Sequence, residues 1–199
     1  PRAYLKRFFL EGSGSFLFLI DEAHNLLDRA RDIFSAPLHK KDFRALKRAL
    51  GDRDPRLAAK LADIDDHCAE LEKRCGGEEN GFVVDNEPPQ ELLPLLQSFL
   101  DTAEPGLSRA PASYRDLLFE RYFETLAFMR VAELFDEQYV TYAERRGRDL
   151  YLRLFCRDPS KRIAEALTRG KVAVFFSATL TPLEYFRQVL GGGIEDRLL

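Results

Sequence analysis

Phe16-Leu17-Phe18-Leu19-Ile20-Asp21-Glu22-Ala23-His24-Asn25-Leu26 is the stretch on which the reading of this chain turns. Its first five residues are apolar at every position, as in a strand covered on both faces of a parallel sheet. Two adjacent carboxylates follow at once. Open parallel sheets place ligand-binding and reacting groups just beyond the carboxyl ends of their strands. An Asp there can hold Mg²⁺, directly or through its waters, and a Glu beside it can take a proton from an attacking water. Asp21 as a plain helix cap is the competing reading.

A second strand end of the same kind lies far along the chain. Residues 172–176 are apolar, and Ser177-Ala178-Thr179-Leu180 follows them before a helix opened by Thr181-Pro182 and stopped by Gly191-Gly192-Gly193. Hydroxyls there can hydrogen-bond a neighbouring carboxylate, or can simply cap the helix. A helix is predicted from Glu22 to about residue 35, ended by Pro37, and a strand over 150–156 leads into a helix from Asp158-Pro159-Ser160 to about Thr168.

Between these ends the texture is nearly all helical. Phe43, Leu46, Ala49 and Leu50 keep helical spacing up to Gly51, and Leu57, Leu61, Ile64, Cys68 and Leu71 do so from Pro55 to Gly76-Gly77. Residues 89–100 predict a further helix, and residues 112–144 one or two long ones, whereas 81–84 reads as a turn or strand fragment.

Composition bounds the function loosely. The 199 residues are 45% hydrophobic and 32% charged with a net charge of −3, a globular balance in which phosphate contact has to come from local basic patches. No apolar run approaches the ~18 residues of a membrane helix. The start at Pro1 without a leader pattern predicts an excised piece of a longer protein. Cys68, Cys75 and Cys156 form no Cys-x-x-Cys pair and read as buried small hydrophobes in a reduced, intracellular setting.

Asp21-Glu22-Ala23-His24 resembles motif II of superfamily 2 helicases, and Ser177-Ala178-Thr179-Leu180 resembles their motif III. The 156 positions between Asp21 and Ser177 resemble the XPD/DinG family of DNA helicases, which carries a large helical insertion, the arch, between these motifs. Residues 154–160 and Pro1-Arg2-Ala3-Tyr4-Leu5-Lys6-Arg7 look like that family too. The implied fold is an α/β fragment of a RecA-like motor domain, parallel strands with helices, carrying a mainly α-helical arch. Residues 1–36 and 149–199 would be motor domain 1, and 37–148 the arch. The implied activity is ATP-dependent 5′→3′ translocation on single-stranded DNA, with ATP and Mg²⁺ as cofactors, Asp21 organising Mg²⁺ and Glu22 activating water. His24, Ser177 and Thr179 would couple hydrolysis to DNA movement. An iron–sulfur cluster, where the family has one, takes its ligands upstream of motif II and outside this chain.

The sequence contains no Gly-rich phosphate loop ending in Gly-Lys-Ser/Thr, so these residues alone are expected neither to bind ATP well nor to hydrolyse it. Candidate DNA-binding residues are Lys47 and Arg48, in a basic run with His39, Lys40, Lys41 and Arg44, and Arg145, Arg146 and Arg148, preceded by Tyr139 and Tyr142 as stacking candidates. A bacterial-type, cytoplasmic and nucleoid-associated protein is implied, with repair or replication proteins as further partners. The alternative is a helical protein-interaction or DNA-guiding module without activity of its own. Asp63, Asp65 and Asp66 read as surface charge rather than as a nuclease metal site.

Overall fold

The apolar run becomes strand β1 (Leu17–Asp21), which pairs in parallel with β6 (Val172–Phe176). The computed structural model describes residues 16–76 and 81–199; the basic and aromatic motif at residues 1–7 lies outside them. Within the described residues the chain forms two compact units. One comprises residues 16–34 and 157–199, the other Ser35–Cys156.

In the first unit β1 runs into a 3₁₀ turn (Ala23–Asn25) and helix α1 (Leu26–Ile33). Helix α6 (Ser160–Leu167), β6 and helix α7 (Leu183–Val189) complete it. Ala23, Ala30, Ile163 and Leu190 form its small core, with Ile20, Phe175 and Phe186 packed against them. Parallel strands place every second side chain on one face. Ile20 and Phe175 therefore point to the helices, while Leu19 (66% exposed) and Val174 (43%) point away.

The second unit corrects the expectation of a nearly all-helical middle, although the strand fragment read as one option at 81–84 is present as Phe82–Asp85. Its sheet runs in the order β2 (Ala36–His39), β5 (Asp149–Cys156), β4 (Tyr139–Arg146), β3 (Phe82–Asp85), antiparallel throughout. Helices α2 (Lys40–Leu50), α3 (Pro55–Arg74), α4 (Leu92–Ala103) and α5 (Arg115–Ala132) accompany it. The helix predicted over 112–144 thus stops at Ala132, and residues 139–146 are a strand. Tyr, Val and Thr in Tyr139-Val140-Thr141-Tyr142 favour a pleated surface. Gly147, at φ 62°, and Arg148 make the two-residue turn that joins β4 to β5.

Two other expectations shift. Pro37 does not end a helix; it sits on edge strand β2, where a missing N–H is tolerated. The strand expected over 150–156 is present, but it pairs with β2 and β4, so the chain divides at 34/35 and 156/157 instead of at 36/37 and 148/149. Leu150, Leu152, Leu154 and Cys156 alternate to the buried side of it, and Leu46, Phe99, Leu118 and Phe128 of the helices are buried as well. The three cysteines are free and buried, in line with their reading as small hydrophobes. No helix among the described residues is long and apolar enough to cross a membrane.

Candidate functional site

The register of the parallel pair sets Asp21 opposite Phe176. Residues Glu22 and Ser177 therefore leave neighbouring strands at the same level, although 155 positions separate them. Glu22 makes the first bend. Its backbone is left-handed (φ 51°, ψ 42°), and among the described residues it is the one non-glycine with positive φ. For a residue with a Cβ this conformation costs about 1–2 kcal/mol. Two hydrogen bonds fasten the bend: Glu22 N–H donates to Asp21 Oδ1 (2.8 Å), and Asn25 N–H donates to the Glu22 carbonyl (3.0 Å). Ala23 is fully buried directly after it, in the small core with Ala30, Ile163 and Leu190. The strain persists because the tight turn and the buried alanine over-determine it.

The bend lets three side chains meet. Ser177 Oγ lies 2.8 Å from His24 Nδ1 and 3.2 Å from Glu22 Oε2, and Glu22 Oε2 lies 3.2 Å from the same His24 nitrogen. Thr179 closes the group, its N–H donating to Ser177 Oγ at 3.3 Å, with its hydroxyl oxygen also 3.3 Å from Ser177 Oγ. A serine hydroxyl has one proton. With that proton donated to the Glu22 carboxylate, Ser177 accepts from His24, which places a proton on Nδ1 and turns Nε2 away from the pair. Glu22 and Thr179 are exposed and His24 and Ser177 half-buried, so the cluster is open to a ligand.

Asp21 is exposed at the strand end and uses one carboxylate oxygen on the Glu22 backbone. A single accessible carboxylate suits Mg²⁺, which keeps several waters and is completed by substrate phosphates more often than by a cage of protein ligands. Among the described residues no group of three or more His, Cys, Asp or Glu could hold a metal ion by itself. The five sequence-selected residues Asp21, Glu22, His24, Ser177 and Thr179 thus lie together at one end of one sheet. What sequence reasoning missed there is the left-handed backbone of Glu22, for which no Gly or Asn gave a signal.

The basic candidates are dispersed. Lys47 and Arg48 occupy the last turn of α2. Arg145 and Arg146 end β4, and Arg148 is exposed in the hairpin turn. Much of the rest of the first basic run is internal. Lys40 is 3% exposed and pairs with Glu72 (2.8 Å) and Asp65 (3.8 Å), and Arg44 bonds Asp65 at 2.6 Å. Asp65 is accordingly a member of an ion network and not free surface charge. Tyr139 is 1% exposed and offers no face for stacking, while Tyr142 stays half-buried.

A solved structure titled "XPD_Helicase" has a similar fold, with a TM-score of 0.52 over 89% of this chain and 30% of that one, at 15% sequence identity. This chain therefore spans less than a third of that protein, and the likeness at such identity concerns the fold. No family model matches the sequence, and no curated protein does.

Proposed function

We propose that this chain is the part of an ATP-dependent 5′→3′ DNA helicase of the XPD/DinG type that carries motif II, motif III and the arch between them. The observation that carries the reading is the hydroxyl of Ser177 set between Glu22 Oε2 and His24 Nδ1 at 3.2 and 2.8 Å. Two segments far apart in sequence converge on one cluster, at the strand ends where α/β sheets bind their ligands. The likeness of the fold to a helicase structure supports it.

In this reading Asp21 holds Mg²⁺, which when bound neutralises charge on the β- and γ-phosphates. Glu22 orients the attacking water and accepts its proton. Ser177 donates to Glu22 and accepts from His24, so a change at the carboxylate reaches Thr179 and the start of α7 through adjacent hydrogen bonds. Ser35–Cys156 takes the place of the arch, with single-stranded DNA as partner and repair or replication proteins as further ones, in a cytoplasmic, nucleoid-associated setting. ATP needs a phosphate cradle as well, and that cradle is not part of this sequence.

Two measurements test it. In a polypeptide joining this chain to a phosphate loop and a second motor domain, Glu22→Gln should lower DNA-stimulated ATP hydrolysis by about 10²–10⁴-fold, the usual contribution of a general base. Ser177→Ala should leave most hydrolysis and lose unwinding. The 199-residue chain alone should show no Glu22-dependent turnover. Hydrolysis in the longer polypeptide that ignores Glu22→Gln would sink the assignment.

A further inference from the structure

The second unit's sheet has one face packed with aliphatic side chains and another that carries rings. Alternation along each strand sends Leu150, Leu152 and Leu154 inward and Tyr151 outward from β5, and Phe82 and Val84 outward from β3. On that outer face four rings from four strands follow one another across the sheet. Phe82 (β3) lies 6.0 Å from Tyr142 (β4), Tyr142 lies 6.3 Å from Tyr151 (β5), and Tyr151 lies 5.0 Å from His39 (β2). The Arg146 guanidinium rests on the Tyr151 ring at 4.0 Å.

Cross-strand aromatic pairs stabilise sheets by themselves, which accounts for the neighbouring rings but not for where the row ends. Phe82 is 61% exposed and Val84 50%. Burial has not claimed these side chains, and folding gains little from them. The charge beside the row has one sign in excess. Arg145, Arg146, Arg148 and Lys41 stand at this end of the hairpin with Glu144 and Asp149. Glu144 is engaged by Arg146 at 2.7 Å. Asp149 is held by the Lys41 backbone at 2.8 Å and by His39 at 3.3 Å. The Arg145 side chain donates to the neutral Gly147 carbonyl, and Arg148 is exposed at the tip, so positive charge is left over.

We propose that this face is a stacking platform for single-stranded nucleic acid, with bases on Phe82, Tyr142 and Tyr151 and the backbone phosphates drawn to Arg148 at the hairpin tip. Phe82 offers an open ring face, and Tyr142 and Tyr151 are half-buried behind it, Tyr151 under Arg146. A ring surface with a cationic rim is what a strand of unpaired bases requires, because stacking tolerates any base and phosphates supply the charge. A duplex hides its base faces and gains only the rim. The helicase reading supplies the expectation that a single strand is at hand. The platform rests on the rings and cations alone, and its test involves no nucleotide hydrolysis, so either idea can fail without the other.

The test uses the 199-residue chain and fluorescein-labelled dT15 or rU15, with the matching duplex as a third probe, read by anisotropy at about 50 mM salt. The protein has seven tyrosines and no tryptophan, so quenching of tyrosine emission reports stacking directly. Expected are binding of single strands with quenching, weaker binding of the duplex, and a roughly 5- to 100-fold loss of affinity for Phe82→Ala and for Tyr151→Leu. Tyr151→Phe keeps a ring and should bind within about twofold of the parent. Arg148→Glu should flatten the dependence on salt, each lost phosphate contact removing about 0.7 from the log–log slope. Circular dichroism confirms that each variant is folded. Preference for dT15 or for rU15 tells which kind of strand is bound. Absence of single-strand binding, equal binding of duplex, or unchanged affinity in folded Phe82→Ala and Tyr151→Leu would overturn the proposal.

Discussion

The parallel unit and the antiparallel unit handle the same kinds of residues in different ways. The antiparallel unit buries most of its large side chains, with Phe82, Val84 and Phe123 as exposed exceptions: Phe99, Phe128, Leu46, Leu61, Leu96 and Leu154 have no more than a trace of exposed surface. Even its charges are drawn in, Lys40 against Glu72, and Arg121 against Asp42 and Glu124. The parallel unit has a core of two alanines, Ile163 and Leu190, and leaves Leu17, Leu19, Val172, Val174 and Phe176 exposed on one face of its two strands. Its strain and its convergent polar groups both sit at one strand end. Burial is thus concentrated in one unit and the proposed chemistry in the other, as expected when groups must stay open to a ligand while a packed core holds its fold.

The comparison breaks first if core residues of the antiparallel unit prove dispensable. Phe99 is fully buried and meets Phe43 edge-on at 5.9 Å. Phe99→Ala should destabilise by about 3–5 kcal/mol in urea unfolding, whereas Leu19→Ala, on a 66% exposed position, should stay within about 0.5 kcal/mol. Equal effects would end the contrast.

Alkaline pH should separate the units next. Burial pushes the Cys68 thiol up from 9.0 to about 12, with the nearby Asp65 and Glu72 adding to the shift and Lys40 opposing it. The unfolded chain then loses a proton that the native chain keeps. Unfolding is therefore favoured as pH rises from about 9 towards 12, and the full contribution is present below that window. Burial raises Cys75, Tyr122 and Tyr142 in the same direction. The informative quantity is the difference between the parent and Cys68→Ala, whose melting temperature should fall less steeply over this range. Parallel profiles would show that Cys68 takes no part.

Smaller effects sharpen the other side. Glu22→Gly relieves a left-handed backbone but adds freedom to the unfolded chain, so a gain of up to about 1 kcal/mol is expected together with loss of the proposed base. Destabilisation would mean that the side-chain bonds outweigh the strain. Ser177→Ala, at a half-exposed group, should change stability by less than about 1 kcal/mol. Its effect should appear in the ring nitrogen shifts of His24, measured by NMR, because the Nδ1 partner at 2.8 Å is gone. Unchanged shifts would show that the hydroxyl does not fix the tautomer.

Strands 172–176 and 16–20 were legible as strands because unbroken apolar runs of that length are bounded by polar turns, but the expected cover on both faces is not seen, since Leu17, Leu19, Val172, Val174 and Phe176 are exposed. Helices α2, α3 and α4 were legible from spacing, Pro55 and Gly51. Strand β4 was not. Residues 112–144 read as one or two long helices because Phe, Tyr, Leu and Val recur there often enough to satisfy either period. The better signal was local: Tyr-Val-Thr-Tyr before Arg146-Gly147-Arg148-Asp149 is a β-prone run entering a two-residue turn with glycine at positive φ. Pro37 misled in the opposite sense, since proline stops a helix but is admitted on a sheet edge.

By itself the sequence determined local things: which segments are apolar, where strands must end, and that carboxylates and hydroxyls stand just past two of those ends. These follow from neighbours along the chain, whose spacing is set by covalent geometry. Only the tertiary structure decided what depends on partners far away. The parallel register brings Ser177 to Glu22 and His24 across 155 and 153 positions. Antiparallel pairing drew residues 149–156 into the second unit and turned Tyr151 outward beside Tyr142. Burial withdrew Tyr139 and Lys40 from the surface. Burial and register are sums over the whole fold, so no window of sequence contains them.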